Sequence, residues 1–349
     1  MSIVKVAKLA GVTHGTVSRL INGRGGVSKE TTQRIRRAMV KLGYQPKPPE
    51  KRRGKTARPA GLRTRNVCLL LVGAPHEVLE RPGINMVVAT LETQLRQHGM
   101  VLMLAQAGSL ARLPPCVEQR KVDGLLLVGE AGDVLPAAAY RSLPAVWLLS
   151  SHTQPHEWAD HVLPDNERVG AMAAEYLAAR GHRLVAFYND QPEHPGFAAR
   201  GAAFCAAARE RGLECQSFLA EQSGRAALWG FGPNAVGVKL VEHLLGVTPK
   251  PQAIFVPTDE QLLRLYPLLA RYSIVPGRDL DILSCDNQDA WLRQLDPPPP
   301  SIDLNFEVIG RRAVEQLMSR IMHPEQPPGT RIHVPPKLIA PVRERSNIR

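Results

Sequence analysis

The sequence predicts two folds in succession: an all-α helix-turn-helix domain at the N-terminus, then a large α/β domain. In the first 45 residues, apolar residues recur at helical spacing, and glycine-containing turns separate three such stretches. From residue 67 onward, short apolar runs alternate with amphipathic stretches. That alternation is typical of buried parallel strands joined by helices, which together form a doubly wound sheet.

Capping residues and glycines set the bounds of the first two helices. Ser2 can cap a helix over 3–10. Gly11 ends this helix, because glycine tolerates the left-handed conformation of a tight turn. Thr13 can cap a second helix that starts at His14 and ends near residue 22. The spacing predicts that both helices bury an aliphatic face made of Ile3, Val6, Ala7, Ala10, Val17, Leu20 and Ile21.

A third helix completes the small core. Ser28 caps it after a glycine-containing turn over 23–26, and Gly43 ends it. Its predicted inner face consists of Ile35, Ala38, Met39 and Leu42. Two short helices joined by a turn, with a third that closes the core, form a helix-turn-helix domain.

Positive charge is concentrated at one end of the chain. Residues 1–66 contain 17 Lys and Arg but only two acids, Glu30 and Glu50, for a net charge of +15. The whole chain carries +12, so residues 67–349 sum to −3. A basic segment on a nearly neutral body predicts a polyanionic partner for that segment. The alternative, a solubilising disordered tail, does not explain the helical pattern of 1–45.

The outward face of the second helix carries one long cation, Arg19, among small or hydrogen-bonding residues. These other residues are His14, Gly15, Thr16 and Ser18. In the DNA major groove, an arginine can donate two hydrogen bonds to guanine, and Thr or Ser can contact bases or phosphates. The alternative is an ordinary solvated helix face, and the surrounding positive charge favours the DNA-reading interpretation.

The large domain is predicted to contain a parallel sheet. Its buried strands are predicted at VCLLLVG, MVLMLA, VDGLLLVG, AVWLLS, LVAFYND, AIFVPTD and DILSCD. Helices are predicted between them at 84–98, 169–180, 200–211, 235–245 and 261–271. Ligands of such sheets bind beyond the carboxyl ends of the strands, where we expect a small-molecule site.

Bulk features exclude several classes of protein. The apolar runs fall short of the roughly 18 residues of a membrane span, and the N-terminus lacks a signal-peptide pattern. We therefore expect a cytoplasmic protein without membrane contact. The five cysteines are far apart, never form C-x-x-C, and are predicted to be reduced, buried thiols.

The sequence also lacks recognisable reaction machinery. His76 and Glu77 begin a run that resembles the zinc motif HExxH, but Glu80 stands in place of the second histidine. No G-x-S-x-G elbow occurs. Pro49 occupies the position where a phosphate loop ending at 54–56 needs its first glycine. We expect no metal, no cofactor and no enzymatic activity.

The N-terminal segment resembles a known family. The run VAKLAGVTHGTVSRLINGRGGVSKETTQRI, followed by LGYQP, is similar to the DNA-binding domain of the lac repressor (LacI/GalR) family. By position, the resemblance implies that bases are read at His14, Gly15 and Arg19. It implies backbone-contacting sites at or near Thr13, Thr16, Ser18, Asn22 and Tyr44. Gly15 departs from the family's usual larger residue and can make no side-chain contact with a base.

The linker departs more strongly from the family pattern. Residues 46–66 contain four prolines, and no leucine stands at the distance expected for the one that the family's hinge helix inserts into the minor groove. Pro48 and Pro49 disfavour a helix that passes through them. We hypothesise an extended basic arm, along phosphates or in an A·T-rich minor groove, that includes Lys51, Arg52 and Arg53. The alternative is a solvated, flexible tether.

The resemblance continues into the large domain. The run VLPDNERVGAMAAEYLAARGHRLVAF is similar to the start of the family's second lobe, and the similarity extends through RGAAF, PTD, SCDN and PPKLI. The implied fold is a two-lobed, periplasmic-binding-protein-like α/β domain with a cleft between the lobes. The implied organisation is a DNA-binding domain, a linker, and an effector-binding and dimerisation domain at 1–45, 46–66 and 67–342. The second lobe is expected to start near 164.

The resemblance also implies effector-binding residues. Arg200 aligns with an arginine that clamps the effector, Asp286 with a cleft aspartate, and Asp259 with a strand-end position. Trp229 and Phe231 lie near an aromatic position that stacks on a sugar ring. An arginine fork and carboxylates suit sugar hydroxyls or a small acid. The alternative roles are a helix cap for a strand-end aspartate and core packing for the tryptophan.

One departure bears on the effector. Many sugar-responsive members carry an aspartate after the strand at 144–149, where this chain has Ser150. The missing carboxylate indicates an effector that is smaller, less hydroxylated or differently oriented.

The predicted function is a sequence-specific, DNA-binding transcription regulator with a carbohydrate as the favoured effector. Repression is the commoner outcome in the family, so a repressor is expected. A homodimer would place two reader helices on a near-palindromic, double-stranded operator. Two alternatives remain: a plain solute-binding protein, which leaves the reader unexplained, and a sugar-modifying enzyme, which needs paired carboxylates.

Overall fold

The computed structural model describes residues 3–21, 26–44, 62–129, 137–149, 158–221 and 234–339. The chain divides into two compact units, Met1–Pro59 and Ala60–Arg349. Within the described ranges, no helix has both the length and the apolar character needed to cross a membrane.

The first unit is a three-helix domain, which confirms the predicted helix-turn-helix fold. Its helices are α1 Ile3–Ala10, α2 His14–Ile21 and α3 Lys29–Lys41. The Ser28 hydroxyl caps α3, because it accepts a hydrogen bond from the Thr31 amide at 3.2 Å. Gly11 and Gly43 follow α1 and α3 with φ of +63° and +57°, the left-handed region that glycine adopts at low cost. The centre of the core is formed by Val6, Val17 and Ile35.

The first lobe of the second unit has a six-stranded parallel sheet. Its elements are β1 Asn66–Val72, α4 Pro82–Gln97, β2 Val101–Ala107, α5 Pro115–Glu118, β3 Gly124–Gly129, α6 Ala138–Arg141, β4 Ala145–Leu148, β5 Asp160–Pro164, α12 Phe306–Met322 and β11 Arg331–Val334. The strand order is β11-β5-β4-β3-β1-β2, and every neighbouring pair is parallel.

The second lobe has the same design. Its elements are α7 Asn166–Ala179, β6 Leu184–Asn189, α8 Pro195–Glu210, β7 Glu214–Leu219, α9 Asn234–Gly246, β8 Ala253–Phe255, α10 Asp259–Arg271, β9 Asp281–Cys285, α11 Asp289–Leu292, β10 Ser301–Asp303 and β12 Lys337–Ile339. The strand order is β12-β10-β9-β8-β6-β7, and β12 is antiparallel to its neighbour β10.

The described chain passes between the lobes three times. After β5 it enters α7 of the second lobe, after β10 it returns as α12, and after β11 it ends in β12. Helix α12 packs against α4 and against β4 and β5 of the first lobe. These crossings confirm the two-lobed α/β fold that the resemblance implied.

Helices cover both faces of each sheet. In β1, Val67 and Leu69 face the apolar cluster that includes α4 and α12, whereas Cys68 and Leu70 face the cluster of α5 and α6. Side chains of a strand point alternately to the two faces, so a strand covered on both sides is apolar throughout. The cluster of α4 and α12 continues into α7 and α8. One apolar cluster therefore spans both lobes, and each lobe has a further cluster of its own.

The end of the predicted linker is anchored on the first lobe. The backbone amides of Arg63, Thr64 and Arg65 donate to the Asp123 carboxylate, with N···O distances of 2.6–3.0 Å. Leu62 beside them is buried in the main apolar cluster. The chain therefore joins the α/β unit a few residues before 66. The predicted basic arm, with Lys51, Arg52 and Arg53, lies outside the described residues.

Candidate functional site

Helix α2 exposes the residues that the sequence predicted to read DNA. Gly15 and Arg19 lie on the side opposite Val17, whose side chain is fully buried, and Ser18 lies at the edge of this face. His14 and Arg19 are exposed, and Ser18 is half-buried. This face therefore presents one long cation among small side chains, a shape that suits insertion of the helix into a groove.

The hydroxyls of Thr13 and Thr16 stabilise the start of α2. Thr13 Oγ1 accepts a hydrogen bond from the Thr16 amide at 3.3 Å and lies 2.9 Å from Thr16 Oγ1. Tyr44 is half-buried against the core, and its amide donates to the Met39 carbonyl at 2.9 Å. Thr13, Thr16 and Tyr44 thus have structural roles in the free protein, and a contact with a DNA phosphate would be a second role for each. Asn22 lies outside the described residues.

Packing does not require glycine at position 15. A Cβ atom there would meet only Thr13 Oγ1, at the ordinary contact distance of 3.7 Å. A larger side chain would therefore fit within the free protein. Because Gly15 has no side chain, the middle of the exposed face stays open to an approaching duplex.

The other two helices of this unit also expose cations. They are Lys5 and Lys8 on α1 and Arg34, Arg36, Arg37 and Lys41 on α3. Glu30 is the one acid among the described residues of the unit. This surface attracts a polyanion over a distance of about 10 Å at moderate ionic strength.

The second unit has a cleft between its lobes, at the carboxyl ends of the parallel strands. Its lining includes residues at or after five strand ends, namely Gly129, Leu149, Pro164, Thr258 and Asp286. The cavity within the cleft has a volume of about 110 Å³. Open α/β sheets bind their ligands at this edge.

Arg200 and Asp286 meet in the cleft as an ion pair. Arg200 Nη1 lies 3.3 Å from Asp286 Oδ1, and the two side chains are only 5% and 10% exposed. Arg200 Nε donates to Asn166 Oδ1 at 2.9 Å, and Nη1 also donates to the Pro257 carbonyl. The guanidinium is thus held in place by α7 and by the chain that follows β8.

Asp286 lies in a tight turn that directs Gln288 into the cleft. Asp286 and Asn287 have φ of 102° and 52°, a region that Asp and Asn enter more readily than other side chains. The Thr258 hydroxyl donates to Asp286 Oδ2, and Gln288 Nε2 lies 3.4 Å from that oxygen. Burial raises the pKa of Asp286, and the charge of Arg200 opposes this rise. Gln288 Oε1 is buried without a hydrogen-bond partner in the described part of the chain, so a ligand hydroxyl could satisfy it.

Asp259 lies behind the cleft and is not among the residues that line it. Its side chain is fully buried, and its carboxylate accepts hydrogen bonds from the Gln288 amide at 2.6 Å and the Ser301 hydroxyl at 2.9 Å. Burial, and then the Asp286 carboxylate, raise the pKa of Asp259 to about 7. The geometry thus gives Asp259 a supporting position beneath the turn that carries Asp286.

The raised pKa of Asp259 predicts a pH-dependent stability. The protonated acid is favoured in the fold, so this stabilising contribution is complete below the unfolded pKa of 3.8 and is lost as pH rises through about 7. Asp259→Asn keeps a neutral group of the same shape. We expect the variant to lose less unfolding free energy than the wild type between about pH 5 and about pH 8 in urea titrations. If the unfolding free energies of the two proteins changed equally with pH, the raised pKa of Asp259 would be contradicted.

His194 and Phe197, at the start of α8, were not predicted from the sequence but line the cleft. Their rings stack at a centroid distance of 3.9 Å, and the Arg200 guanidinium carbon lies 5.5 Å from the Phe197 centroid. Burial, with the charges of Arg200 and Arg81, lowers the pKa of His194 to about 3, so the ring is neutral near pH 7. The signal in the sequence is the run HPGF, which starts a helix directly after a buried strand.

A second ion pair lies at the cleft and, unlike the first, joins the two lobes. Arg81 of the first lobe lies with Nε 3.0 Å from Glu260 Oε2 of the second lobe, and the side chains are 21% and 6% exposed. Glu260 Oε1 also lies 3.5 Å from Arg264 Nη1, and Arg264 pairs with Asp190 at 2.9 Å. This row of alternating charges connects the first lobe to α10 of the second lobe across the cleft. Sequence reasoning missed this pair because its partners are 179 residues apart.

The remaining described wall of the cleft is largely apolar. It includes Val78, Ile84, Val128, Leu149, Leu304 and Phe306. Leu149 has φ of 64° and directly precedes Ser150, which lies outside the described residues. The predicted aromatic residues Trp229 and Phe231 lie outside the described residues. The described cleft thus combines two ion pairs with an apolar wall.

Comparison with known proteins identifies both units. Residues 2–47 match the family model "Bacterial regulatory proteins, lacI family". Residues 68–225 match "Periplasmic binding proteins and sugar binding domain of LacI family", and residues 174–340 match "Periplasmic binding protein-like domain". Together these matches span nearly the whole chain.

Full-length relatives have the same organisation. The HTH-type transcriptional regulator CelR of Thermobifida fusca is 28% identical over 323 residues, which cover 90% of each chain. The ribose operon repressor of Escherichia coli K12 is 25% identical and covers 91% of this chain and 92% of its own. A solved complex of the transcriptional regulator CelR with cellobiose superimposes with a TM-score of 0.66 at 25% identity, covering 97% and 98% of the two chains. The chain therefore belongs to the LacI family of bacterial DNA-binding transcription regulators.

Proposed function

We propose that this regulator is a homodimeric repressor that releases or binds a near-palindromic operator according to the occupancy of its cleft by a hydroxylated small molecule, most simply a sugar. The observation that carries the effector proposal is the buried Arg200–Asp286 pair at the cleft, beside the unsatisfied acceptor Gln288 Oε1. The observation that carries the operator proposal is Arg19 on the exposed face of α2.

The polar groups of the cleft suit hydroxyl recognition. A sugar hydroxyl both donates and accepts, so one hydroxyl can donate to Gln288 Oε1 or Asp286 while it accepts from Arg200. The neutral ring of His194, stacked on Phe197, adds a flat surface. A cellobiose complex and a ribose operon repressor among the similar proteins support a sugar over the small acid that the sequence left open.

The carboxylates of the cleft do not favour a catalytic function. Asp286 and Glu260, the two carboxylates that line its described part, are each paired with an arginine. A glycoside hydrolase needs one carboxylic acid and one carboxylate free to act on the scissile bond. The similar proteins are named as transcriptional regulators, which supports the same conclusion.

The dimer proposal rests on apolar side chains at one edge of the first lobe. Strand β2 is the edge of its sheet, and Val101 and Leu104 on it are 58% and 50% exposed. Met86, on the α4 helix that packs against β2, is 52% exposed. Large exposed apolar side chains on neighbouring elements are typical of an interface. Sedimentation of the full chain at micromolar concentration should give a dimer.

Two measurements test the function. An operator selected from random duplexes should shift in a gel with strong salt dependence, and the shift should change when the effector is present. Thermal unfolding with cellobiose, ribose and common monosaccharides should show one sugar that raises Tm, because a ligand at 100 times its Kd stabilises by about 2.7 kcal/mol. A chain that selects no duplex would rule out the regulator, and stabilisation only by anionic metabolites would replace the sugar.

The ion pair across the cleft should stabilise the closed arrangement of the lobes. Removing either partner breaks the direct link between the lobes, so Arg81→Met and Glu260→Gln should each weaken effector binding, by about fivefold for a coupling of about 1 kcal/mol. The double variant should be less impaired than the sum of the single variants. Calorimetric titration with the stabilising sugar measures all three affinities.

An exposed pair in the same lobe provides the control for this experiment. Arg293, directly after α11, has its Nη2 atom 2.6 Å from Oδ2 of Asp289 at the start of α11, and these side chains are 78% and 68% exposed. Arg293→Met should therefore leave effector affinity unchanged. Additive effects of the Arg81 and Glu260 substitutions would show that the pair does not link the lobes.

A further inference from the structure

Two pairs of neighbouring thiols lie in the α/β unit, and their surroundings differ. Cys205 on α8 faces strand β7, where its sulfur lies 3.6 Å from Ser217 Oγ, and Cys215 lies two residues before Ser217 on the same face of that strand. Cys68 on β1 and Cys116 on α5 have their sulfurs 3.8 Å apart. All of the cysteines are reduced in the structure, as the sequence predicted.

The two pairs differ in their access to solvent. Strand β7 is the edge of its sheet, Cys215 is half-buried, and Ser217 beside the pair is exposed. Cys68 has no exposed surface, and it faces the closed apolar cluster that α5 and α6 cover. Cys205 and Cys116 are both nearly buried, at 7% and 9% exposure, so the difference in access lies in their partners, half-buried Cys215 and fully buried Cys68. Solvent therefore approaches the first pair from the Cys215 side, at the sheet edge.

The two pairs also differ in charge. Arg209 lies one helical turn after Cys205, and its charge favours a thiolate there. Hydrogen bonding with Cys215 lowers the pKa of Cys205 to about 6, against the effect of burial; the Ser217 hydroxyl and the charge of Arg209 lower it further. Burial raises the pKa of Cys68 well above that of an ordinary thiol. A thiolate is the form that attacks peroxides, so Cys205 is the reactive sulfur of the four.

We propose that Cys205 and Cys215 form a modification site: a dithiol that hydrogen peroxide oxidises to an intramolecular disulfide. The Cys205 thiolate attacks one peroxide oxygen, the O–O bond breaks, and the released hydroxide takes up a proton to become water. Cys205 is then a sulfenic acid. The Cys215 sulfur attacks the Cys205 sulfur, the S–O bond breaks, and the hydroxyl leaves as a second water with the Cys215 proton. The two thiols lose two electrons and the peroxide gains them.

The position of the pair connects it to the cleft. Helix α8 carries Phe197 and Arg200 in the cleft lining, and Cys205 follows them on the same helix. A disulfide to β7 fixes the middle of α8 to the edge of the sheet. The modification itself does not depend on the proposed function, since it needs neither operator nor sugar.

Mass spectrometry of the peroxide-treated full chain tests the proposal. Non-reducing digests should show a Cys205–Cys215 bridge that forms at least about tenfold faster than any Cys68–Cys116 bridge, while Cys285 stays a free thiol. Cys215→Ser should stop at a Cys205 sulfenic acid that dimedone traps, and Cys205→Ser should give neither product. The near-isosteric serines keep the fold, which circular dichroism checks.

Two results would overturn the proposal. One is wild-type protein that keeps both Cys205 and Cys215 as free thiols after excess peroxide. The other is a Cys68–Cys116 bridge that forms as fast as the Cys205–Cys215 bridge, because access and charge would then not select the site. Arg209→Met should slow bridge formation without changing the products, and an unchanged rate would remove Arg209 from the mechanism.

Discussion

Arg19→Met should weaken binding to the selected operator by about 1–3 kcal/mol, or roughly 5- to 150-fold, and flatten the preference for the operator over a random duplex. Arg19 is exposed on the face of α2 opposite the buried Val17, so its guanidinium is free to reach a base edge. Its planar fork can donate two hydrogen bonds to one guanine. Fluorescence anisotropy with both duplexes at one salt concentration measures the two affinities.

Two matched variants separate base recognition from simple charge. Arg19→Lys keeps the charge but loses the fork, so it should retain most random-duplex binding and still lose operator preference. Arg36→Met removes an exposed cation of α3 in the same unit and should weaken both duplexes by the same factor. If Arg19→Met lowered both affinities equally, Arg19 would be a phosphate contact, and base reading would belong to another residue.

The bounds of the first three helices were predictable because local chemistry sets them. Ser28 caps α3 through a hydrogen bond to a residue three positions away, and Gly43 ends the same helix with a positive φ. A short stretch of sequence contains both partners of such interactions. The apolar runs of β1 and β6 were predictable for a related reason, since a strand covered on both faces shows its burial in its own composition.

Strand β5 shows where local patterns do not suffice. It begins with Asp160 and His161, which look like a loop, yet both are buried. Asp160 is held by Arg320 of α12 at 2.7 Å and by the amides of Gly329 and Thr330 at 2.9 Å each. These partners lie 160 or more residues away, so the sequence near β5 carries no sign of them.

The cleft residues divide in the same way. Arg200 and Asp286 were found only through the family resemblance, and the structure brings them together as an ion pair. The resemblance implied Asp259, but the structure places its neighbour Glu260 in the cleft and Asp259 behind it. Both lie in the first turn of α10, and successive helix residues point about 100° apart. The strand pattern predicts where that turn lies, but it does not predict which residue of the turn faces the cleft.

Arg200→Met should produce the largest loss of stability among these variants, about 3–5 kcal/mol in urea unfolding. The substitution leaves the Asp286 carboxylate buried without its cation, in a side chain that is only 10% exposed. The pKa of Asp286 should then rise further. The unfolding free energy that the substitution removes should therefore be smaller in acid than at neutral pH. The thermal response to the stabilising sugar should disappear, because the clamp on its hydroxyls is gone.

A second substitution separates the stability of the fold from the recognition of the effector. In Arg200→Met with Asp286→Asn, no buried charge is left unpaired, so most of the unfolding free energy should return while the sugar response stays absent. Operator binding by this double variant should remain, because Arg19 and the cations around it lie in the other unit. If the sugar still raised the Tm of the double variant as it does that of the wild type, the ion pair would be a structural support, and the effector would be held by other residues of the cleft.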